Sequence, residues 1–329
     1  MVKVVNHFHA FVILPADLPH MIVHYGYENL EINDPVVTLG IFDGVHIGHK
    51  VLIERLVSRA QGIGGESVII TFDPHPKSVL SENNKHLFFL TTLEEKKTVL
   101  EEMGVDHLII VPFDHDLSNK EACQFIEEVL IRKIGTKYLM AGFNNRFGKK
   151  GDGDFSVIRK CAESFGIVVE QVEGLKSDLG IVSSSLVREE LLAGNLDNAN
   201  FLLGYSYFLS GTVSPGKMIG REIGFPTANI VPESEHKLVP GDGVYACKVI
   251  IDGSVYKGML SIGTNPTFNS DTRTIEVNIF DFEKEIYNHK IKVIFVKRLR
   301  DMKKFIGISD LKAQLEEDKS AALIFLSTK

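Results

Sequence analysis

Between Val36 and Val172 the chain alternates strand and helix patterns, and after about Gly204 it stops doing so. Val36 to Phe42 reads as a buried strand, and Ile47 to Ala60 as a helix with Val51, Leu52, Leu56 and Val57 at helical spacing. Ser67–Phe72, His107–Pro112, Lys137–Gly142 and Ile167–Val172 follow as strands. Leu93–Met103, Lys120–Lys133 and Phe155–Phe165 lie between them as helices, the first with Glu94, Glu95, Lys96 and Lys97 on its wet face. Such alternation predicts a doubly wound α/β fold, a parallel sheet with helices on both faces. Beyond Gly204 come β-rich runs broken by Gly, Pro, Asp and Asn: Gly243–Ile251, Ser254–Ile262, Thr274–Phe282 and Ile291–Val296. Asp252-Gly253 between two of them is a hairpin signal. These runs predict a small antiparallel barrel, and Ser309–Leu326 a closing helix with Ser309 as its N-cap. Ser183–Leu203 reads as two short helices around Gly194.

At 329 residues the chain has room for two domains. The sequence divides them as residues 1–186, a helical linker at 187–204, and residues 205–329. With 44% hydrophobic and 24% charged residues, each domain can bury a core. A net charge of −7 gives no sign of a nucleic-acid or anionic-membrane partner. No segment reaches the ~18 consecutive apolar residues of a membrane helix. Apolar Ala10–Leu14 is followed by Pro15 and Pro19 and lacks a basic leader, so it is not read as a signal peptide. A soluble, cytoplasmic protein is expected. Cys123, Cys161 and Cys247 form no Cys-x-x-Cys pair, and the expectation is buried, reduced thiols. The first ~35 residues hold His7, His9, His20 and His24. These histidines could bind a metal, but an ordinary strand and loop is expected.

Chemistry concentrates in two stretches. The first is Gly40-Ile41-Phe42-Asp43-Gly44-Val45-His46-Ile47-Gly48-His49, at a strand end running into a helix, where open parallel sheets place their ligands. Gly44 and Gly48 permit close backbone approach. The helix start offers free N–H groups and partial positive charge to a phosphate. His46 and His49, three apart, can face one side of the first turn and stabilise charge building up at phosphorus. His-x-x-His with Asp43 nearby also fits a metal, but no third ligand is evident and the arrangement is not His-Glu-x-x-His. No Walker phosphate loop occurs.

The second stretch runs from Gly211 to Ile230. Gly216, Gly220 and Gly224 shape a loop whose backbone can approach phosphates, with Lys217 and Arg221 adding charge. Thr227 and Asn229 alternate on an extended segment and point to one side. Their oxygens suit Mg²⁺ and a nucleotide. Read alone, glycines in a β domain are more often turns.

The first stretch resembles the His-x-Gly-His signature of the nucleotidylyltransferases, and specifically that of bacterial bifunctional riboflavin kinase/FAD synthetases. Thr71-Phe72-Asp73-Pro74-His75-Pro76, Gly142-Phe143-Asn144-Asn145-Arg146-Phe147-Gly148 and Ser183-Ser184-Ser185-Leu186-Val187-Arg188 are similar to further motifs of that family, in the same order. Gly216 to Asn229 resembles its riboflavin kinase signature, and Thr274–Phe282 the segment bearing its catalytic glutamate. The resemblance implies that the N-terminal domain is an FMN adenylyltransferase and the barrel a riboflavin kinase. FMN phosphate would attack the α-phosphorus of ATP and release pyrophosphate. His46 and His49 would stabilise the transition state. Gly40, Phe42, Asp43, Gly44, Asn144, Ser184, Ser185 and Arg188 would bind ATP and its phosphates, with Pro74, Pro76 and Phe147 on the flavin side. In the barrel, Gly216, Lys217, Gly220 and Arg221 would bind phosphates, and Thr227 and Asn229 Mg²⁺. Glu276 would be the general base toward the ribityl hydroxyl, and Arg300 would lie beside the flavin.

Three positions depart from the family: Asn145 stands where an aromatic is usual, Tyr205-Ser206 where Arg-Pro is, and Asn278 where His is common. Two other readings stay open at this point. One is an FAD synthetase whose barrel binds flavin without kinase activity. The other is a non-catalytic flavin or nucleotide sensor. Riboflavin, FMN and ATP are the implied partners, and the oligomeric state is not legible.

Overall fold

A computed structural model describes residues 20–80, 87–143, 147–149, 153–216, 219–265 and 270–327. The chain forms two compact units that meet in sequence between Ser184 and Ser185. In the first unit, the strands are β1 (Ile22–Tyr25), β2 (Val36–Leu39), β3 (Ser67–Asp73), β4 (His107–Pro112), β5 (Tyr138–Gly142) and β6 (Val168–Val172). Their order across the sheet is β1-β4-β3-β2-β5-β6, every pair parallel. All four residues of β2 are buried, as a central strand covered on both faces requires. Between the strands lie α1 (Ile47–Ile63), α2 (Pro76–Leu80), α3 (Leu93–Glu101), α4 (His115–Ser118), α5 (Ala122–Phe125) and α6 (Phe155–Glu163). Val37, Ile70, Ile109 and Leu139 pack with Phe125, Val129 and Ile158 in one core. The buried residues of α1, Leu52, Ile53, Leu56 and Ala60, are not part of that cluster; α1 covers β2, β3 and β5 from the other face. A two-stranded ribbon, β7 (Lys176–Ser177) and β8 (Gly180–Ile181), ends the unit.

The chain runs from β2 outward through β3 and β4, then returns to the other side of β2 for β5 and β6. The sheet therefore reverses direction between β2 and β5. The crevice at the carboxyl ends of those two strands is where such sheets bind ligands.

The second unit opens with α7 (Ser184–Leu192), whose first residue belongs to the first unit, and α8 (Leu196–Leu203), the two short helices expected around Gly194. Six antiparallel strands then close a barrel in the order β10-β13-β12-β11-β14-β9. They are β9 (Phe208–Ser214), β10 (Ala228–Pro232), β11 (Gly243–Ile251), β12 (Ser254–Asn265), β13 (Ser270–Ile279) and β14 (Lys290–Arg300). Asp252 and Gly253 both have positive φ (48° and 78°), and Ile251 pairs with Ser254 across them, a primed two-residue turn. A four-residue helix, α9 (Ile219–Glu222), interrupts the glycine-rich stretch between β9 and β10. The last helix, α10 (Ile308–Ser327), seats Ala322 and Leu326 on Phe225, Ala246, Met259 and Phe280.

Several expectations are corrected. Lys120–Lys133 is not one regular helix: α5 passes into a π-helical run at Ile126–Ile131. Ser309 does not cap the last helix, which already includes Ile308. Glu95 and Lys96 are buried, not on a wet face; Glu95 completes a capping box with Thr92, and Lys96 turns under the sheet end. Cys123 and Cys161, on α5 and α6, are bonded to each other rather than free, and Cys123 is exposed. Cys247 alone keeps the expected character, a buried thiol whose pKa burial pushes up. His24 lies on β1, where its Nε2 meets Nδ1 of buried His107 at 3.0 Å; His7 and His9 lie outside the described residues.

Candidate active sites

The first site follows from how the chain leaves β2. Phe42 (φ 50°) and Val45 (φ 36°) are non-glycine residues in the left-handed region, with Gly44 (φ 77°) between them. Both are almost wholly buried. This tight path turns the chain directly into α1. His46 is the N-cap of that helix, and its Nδ1 accepts the backbone N–H of His49 at 3.2 Å. A ring nitrogen that accepts is unprotonated, so the proton of neutral His46 sits on Nε2. The His46 and His49 rings stack with centroids 3.6 Å apart, and Phe42 meets His49 edge-on at 5.1 Å.

His49 retains some exposed area, but its Nδ1 is buried and has no hydrogen-bond partner. Burial pushes the His49 pKa well below the usual imidazole value, helped by the neighbouring His46 and Lys96. His49 is therefore held toward its neutral form. Among the described residues no group of three His, Cys, Asp or Glu is placed to hold a metal.

Around the pair opens a cleft of about 730 Å³ at the carboxyl ends of the strands. Gly40, Phe42, Asp43, His46, Gly48 and His49 line it, as do Ser183 and Ser184. Ser184 donates its hydroxyl to the Asp43 carbonyl at 2.9 Å. Its wall also carries the aromatic side chains of Phe72, His75, Phe113, Phe125, Phe143 and Phe147. Of the residues expected on the flavin side, Pro76 and Phe147 line the cleft, while Pro74 is exposed and not on its wall. Ser185 and Arg188 are on the first turns of α7, exposed and half-buried respectively. Asn144 lies outside the described residues. His75 lies in the Pro74-His75-Pro76 loop that the family resemblance puts on the flavin side, whereas Phe113 and Phe125 are not among the residues expected from sequence. For Phe113 the signal is position: it directly follows β4, at the carboxyl end where ligands are expected in such a sheet.

Asp43 also has a role within the loop. Its carboxylate accepts the N–H groups of Leu90 and Thr91, at 2.9 and 3.1 Å, and is 4% exposed. It anchors the loop.

The second site lies on β10 and β13 of the barrel. Asn229 pairs with Glu276 across the two strands, and Thr227 stands just before β10. The Thr227 hydroxyl reaches Glu276 Oε2 at 3.3 Å, and Thr274 donates to Oε1 at 3.1 Å. The structure thus brings together Thr227, Asn229 and Glu276, which are separated by some fifty residues. Gly216 faces Asn229: a Cβ there would sit 1.9 Å from Asn229 Nδ2, so a larger residue would displace that carboxamide. Gly220 lies on α9 and packs against the Phe225 carbonyl, and exposed Arg221 points to the Tyr287 hydroxyl at 3.4 Å. Lys217 lies outside the described residues.

Two departures from the family acquire a structural meaning. Asn278 is buried and donates Nδ2 to the Pro226 carbonyl at 2.7 Å, fastening the residue before Thr227. Tyr205 is buried beside Phe208 and fills core. Arg300 has its Nε and one terminal nitrogen bound to the buried carboxylate of Asp318 on α10, at 2.6–3.1 Å. It ties the helix to the barrel.

Comparison with known proteins settles what this pair of sites belongs to. Residues 29–186 match the FAD synthetase family and residues 203–326 the riboflavin kinase family. The bifunctional riboflavin kinase/FMN adenylyltransferase of Listeria monocytogenes is 38% identical over 89% of this chain and 92% of its own length. That of Bacillus subtilis is 37% identical over the same shares. The chain belongs to the bifunctional riboflavin kinase/FMN adenylyltransferase family. A solved structure of Streptococcus pneumoniae that bears the name macrolide-efflux protein is similar throughout. It is 31% identical, with a TM-score of 0.83 over 92% of this chain and 99% of that one. Among the described residues no helix is long and apolar enough to cross a membrane.

Proposed function

We propose that each unit carries out one step of FAD formation: the barrel phosphorylates riboflavin to FMN, and the sheet unit adenylylates FMN. The observation that carries this reading is the difference in chemical groups between the two sites. A hydroxyl nucleophile needs a base, and the barrel site holds a carboxylate, Glu276, kept in place by Thr227 and Thr274. A phosphate nucleophile is already an anion. The sheet site accordingly presents N–H donors, not a base, where charge develops at the α-phosphorus.

In the barrel, Glu276 takes the proton from the ribityl hydroxyl as oxygen attacks the γ-phosphorus of ATP, and ADP leaves. Thr227 and Asn229 supply hard oxygen donors beside that carboxylate, a set that fits Mg²⁺ completed by water and phosphate oxygens. When bound, Mg²⁺ neutralises phosphate charge. Gly216 gives the nucleotide close access to Asn229, with Lys217, Gly220 and Arg221 contributing to phosphate binding. In the sheet unit, the aromatic side chains of the cleft take the flavin ring, and the groups around His46 and His49 the phosphates. His46 and His49 donate to the reacting phosphoryl group. Ser184, Ser185, Arg188 and Asn144 hold ATP oxygens, Arg188 by a charge-assisted fork. Cytoplasmic placement follows from these substrates, which are metabolites of the cell interior.

Incubating the protein with riboflavin, ATP and Mg²⁺ and separating the flavins by chromatography tests the reading. FMN should rise first and FAD follow, with pyrophosphate released in step with FAD. FAD made from added FMN, but no FMN from riboflavin, would leave the kinase-deficient alternative standing.

A further inference from the structure

The loop from Gly40 to His46 holds two buried non-glycine residues in a left-handed conformation, one of them the β-branched Val45. Backbone of this kind persists only where its surroundings over-determine it. Ser184 and Ile70 each tie the loop's backbone once, and the side-chain ties to Asp43, Gly44 and Ile41 lead to one segment, Leu90 to Lys96. Leu90 and Thr91 donate their N–H groups to the Asp43 carboxylate. The Thr91 hydroxyl accepts the Gly44 N–H at 3.1 Å and donates toward Asp43 at 3.4 Å. Lys96 donates to Thr71 Oγ1 at 3.2 Å, and Thr71 in turn donates to the Ile41 carbonyl at 3.3 Å. The capping box of Thr92 and Glu95 fixes the start of α3, so the three ties share a rigid base.

We propose that Leu90–Lys96 is a clamp that holds the strained loop and thereby sets His46 and His49, with Thr91 and Lys96 as positioning residues for adenylyl transfer. Neither lines the cleft, so neither needs to touch substrate. Lys96 is 6% exposed, and burying an ammonium is costly unless opposite charge and hydrogen bonds compensate it. Here Asp43 and Asp73 supply the opposite charge. Asp43 is thus held from both sides, by amides of the clamp and by the field of its lysine. The two histidines inherit that order because His46 begins two residues after Gly44 and caps α1 itself.

This inference rests on the reading of His46 and His49 as the adenylyl-transfer donors. Steady-state kinetics of FMN-to-FAD conversion on Thr91→Val, Thr91→Ser, Lys96→Met and His49→Ala chains test it. Thr91→Val removes the hydroxyl at nearly constant volume, while Thr91→Ser keeps it. Thr91→Val and Lys96→Met should lower kcat about 10- to 100-fold, the scale of a small misplacement of reacting groups, with KM for FMN and ATP changed less than about threefold. Thr91→Ser should restore kcat to near the parent value. Parental kcat in Thr91→Val and Lys96→Met, loss confined to KM, or failure of Thr91→Ser to rescue would overturn the clamp. If Thr91→Val does not fold, Lys96→Met decides by the same criterion. His49→Ala separates the two failures. FAD formation that survives it defeats the reading of the site itself; FAD formation that it stops, beside parental Thr91→Val and Lys96→Met, defeats only the clamp.

Discussion

The two sites handle the same element, phosphorus, with opposite equipment. The sheet site is recessed, its histidines are stacked, burial lowers the His49 pKa, and the loop that bears them is tied down by buried polar bonds. The barrel site is open, with Thr227 exposed and Glu276 only half-buried. The nucleophile explains the contrast. FMN brings its own negative charge, so the sheet unit needs ordered donors and little else. Riboflavin brings a neutral hydroxyl, so on the proposed reading the barrel must supply a carboxylate.

This contrast can be broken, beginning with the largest effect. Glu276→Gln should lower FMN formation by about 10²- to 10⁴-fold, the span of a lost general base, and leave FAD formation from FMN intact. Parallel assays on riboflavin and on FMN read both rates from one preparation. His49→Ala should cost FAD formation on the order of 10²- to 10³-fold, as when one donor to a developing charge is removed, and spare FMN formation. A loss of both activities in folded protein, from either change, would erase the distinction. Asn278→Ala should act more gently, lowering the kinase rate about tenfold by releasing the Pro226 carbonyl and with it Thr227. Asn278→His can still donate and should recover most of it.

The smallest effect is a titration. Burial lowers the His49 pKa, so in the free protein its ring should remain neutral as pH falls through 6.5 and take up a proton only below that. Nitrogen NMR of labelled histidine reads this directly. The sign for stability follows. The unfolded chain binds this proton first, so the contribution of His49 to folding is complete above about 6.5 and is lost as pH falls below it. A His49 that titrates at or above 6.5 would contradict its neutral, donor role.

Much of the fold was legible because its signals are local. Alternating strand and helix patterns gave the parallel sheet, and Asp252-Gly253 gave the β11–β12 turn. The π-helical run at Ile126–Ile131 was not legible, since its apolar spacing differs little from that of an α-helix. In the sites, the residues that stand within a few positions of each other, such as His46 and His49, could be read as a unit. The meeting of Thr227 with Glu276 is a matter of barrel register, and only the family resemblance pointed to it. Lys96 was misplaced for a related reason. Four charged residues in a row look solvated, and nothing local reveals that Thr71 and Asp43 wait beneath one of them. Arg300 shows the converse: a cation near a motif was read as a ligand, while its partner Asp318 lay on a helix eighteen residues away.

The central claim is that each step has its own site and that neither site needs the other's catalytic group. Mixing the His49→Ala chain with the Glu276→Gln chain, in riboflavin, ATP and Mg²⁺, tests it in one vessel. Alone, the first should stop at FMN and the second should leave riboflavin unchanged; together they should make FAD. A mixture that makes FMN but no FAD, though each chain performs its remaining step alone, would contradict two independent sites.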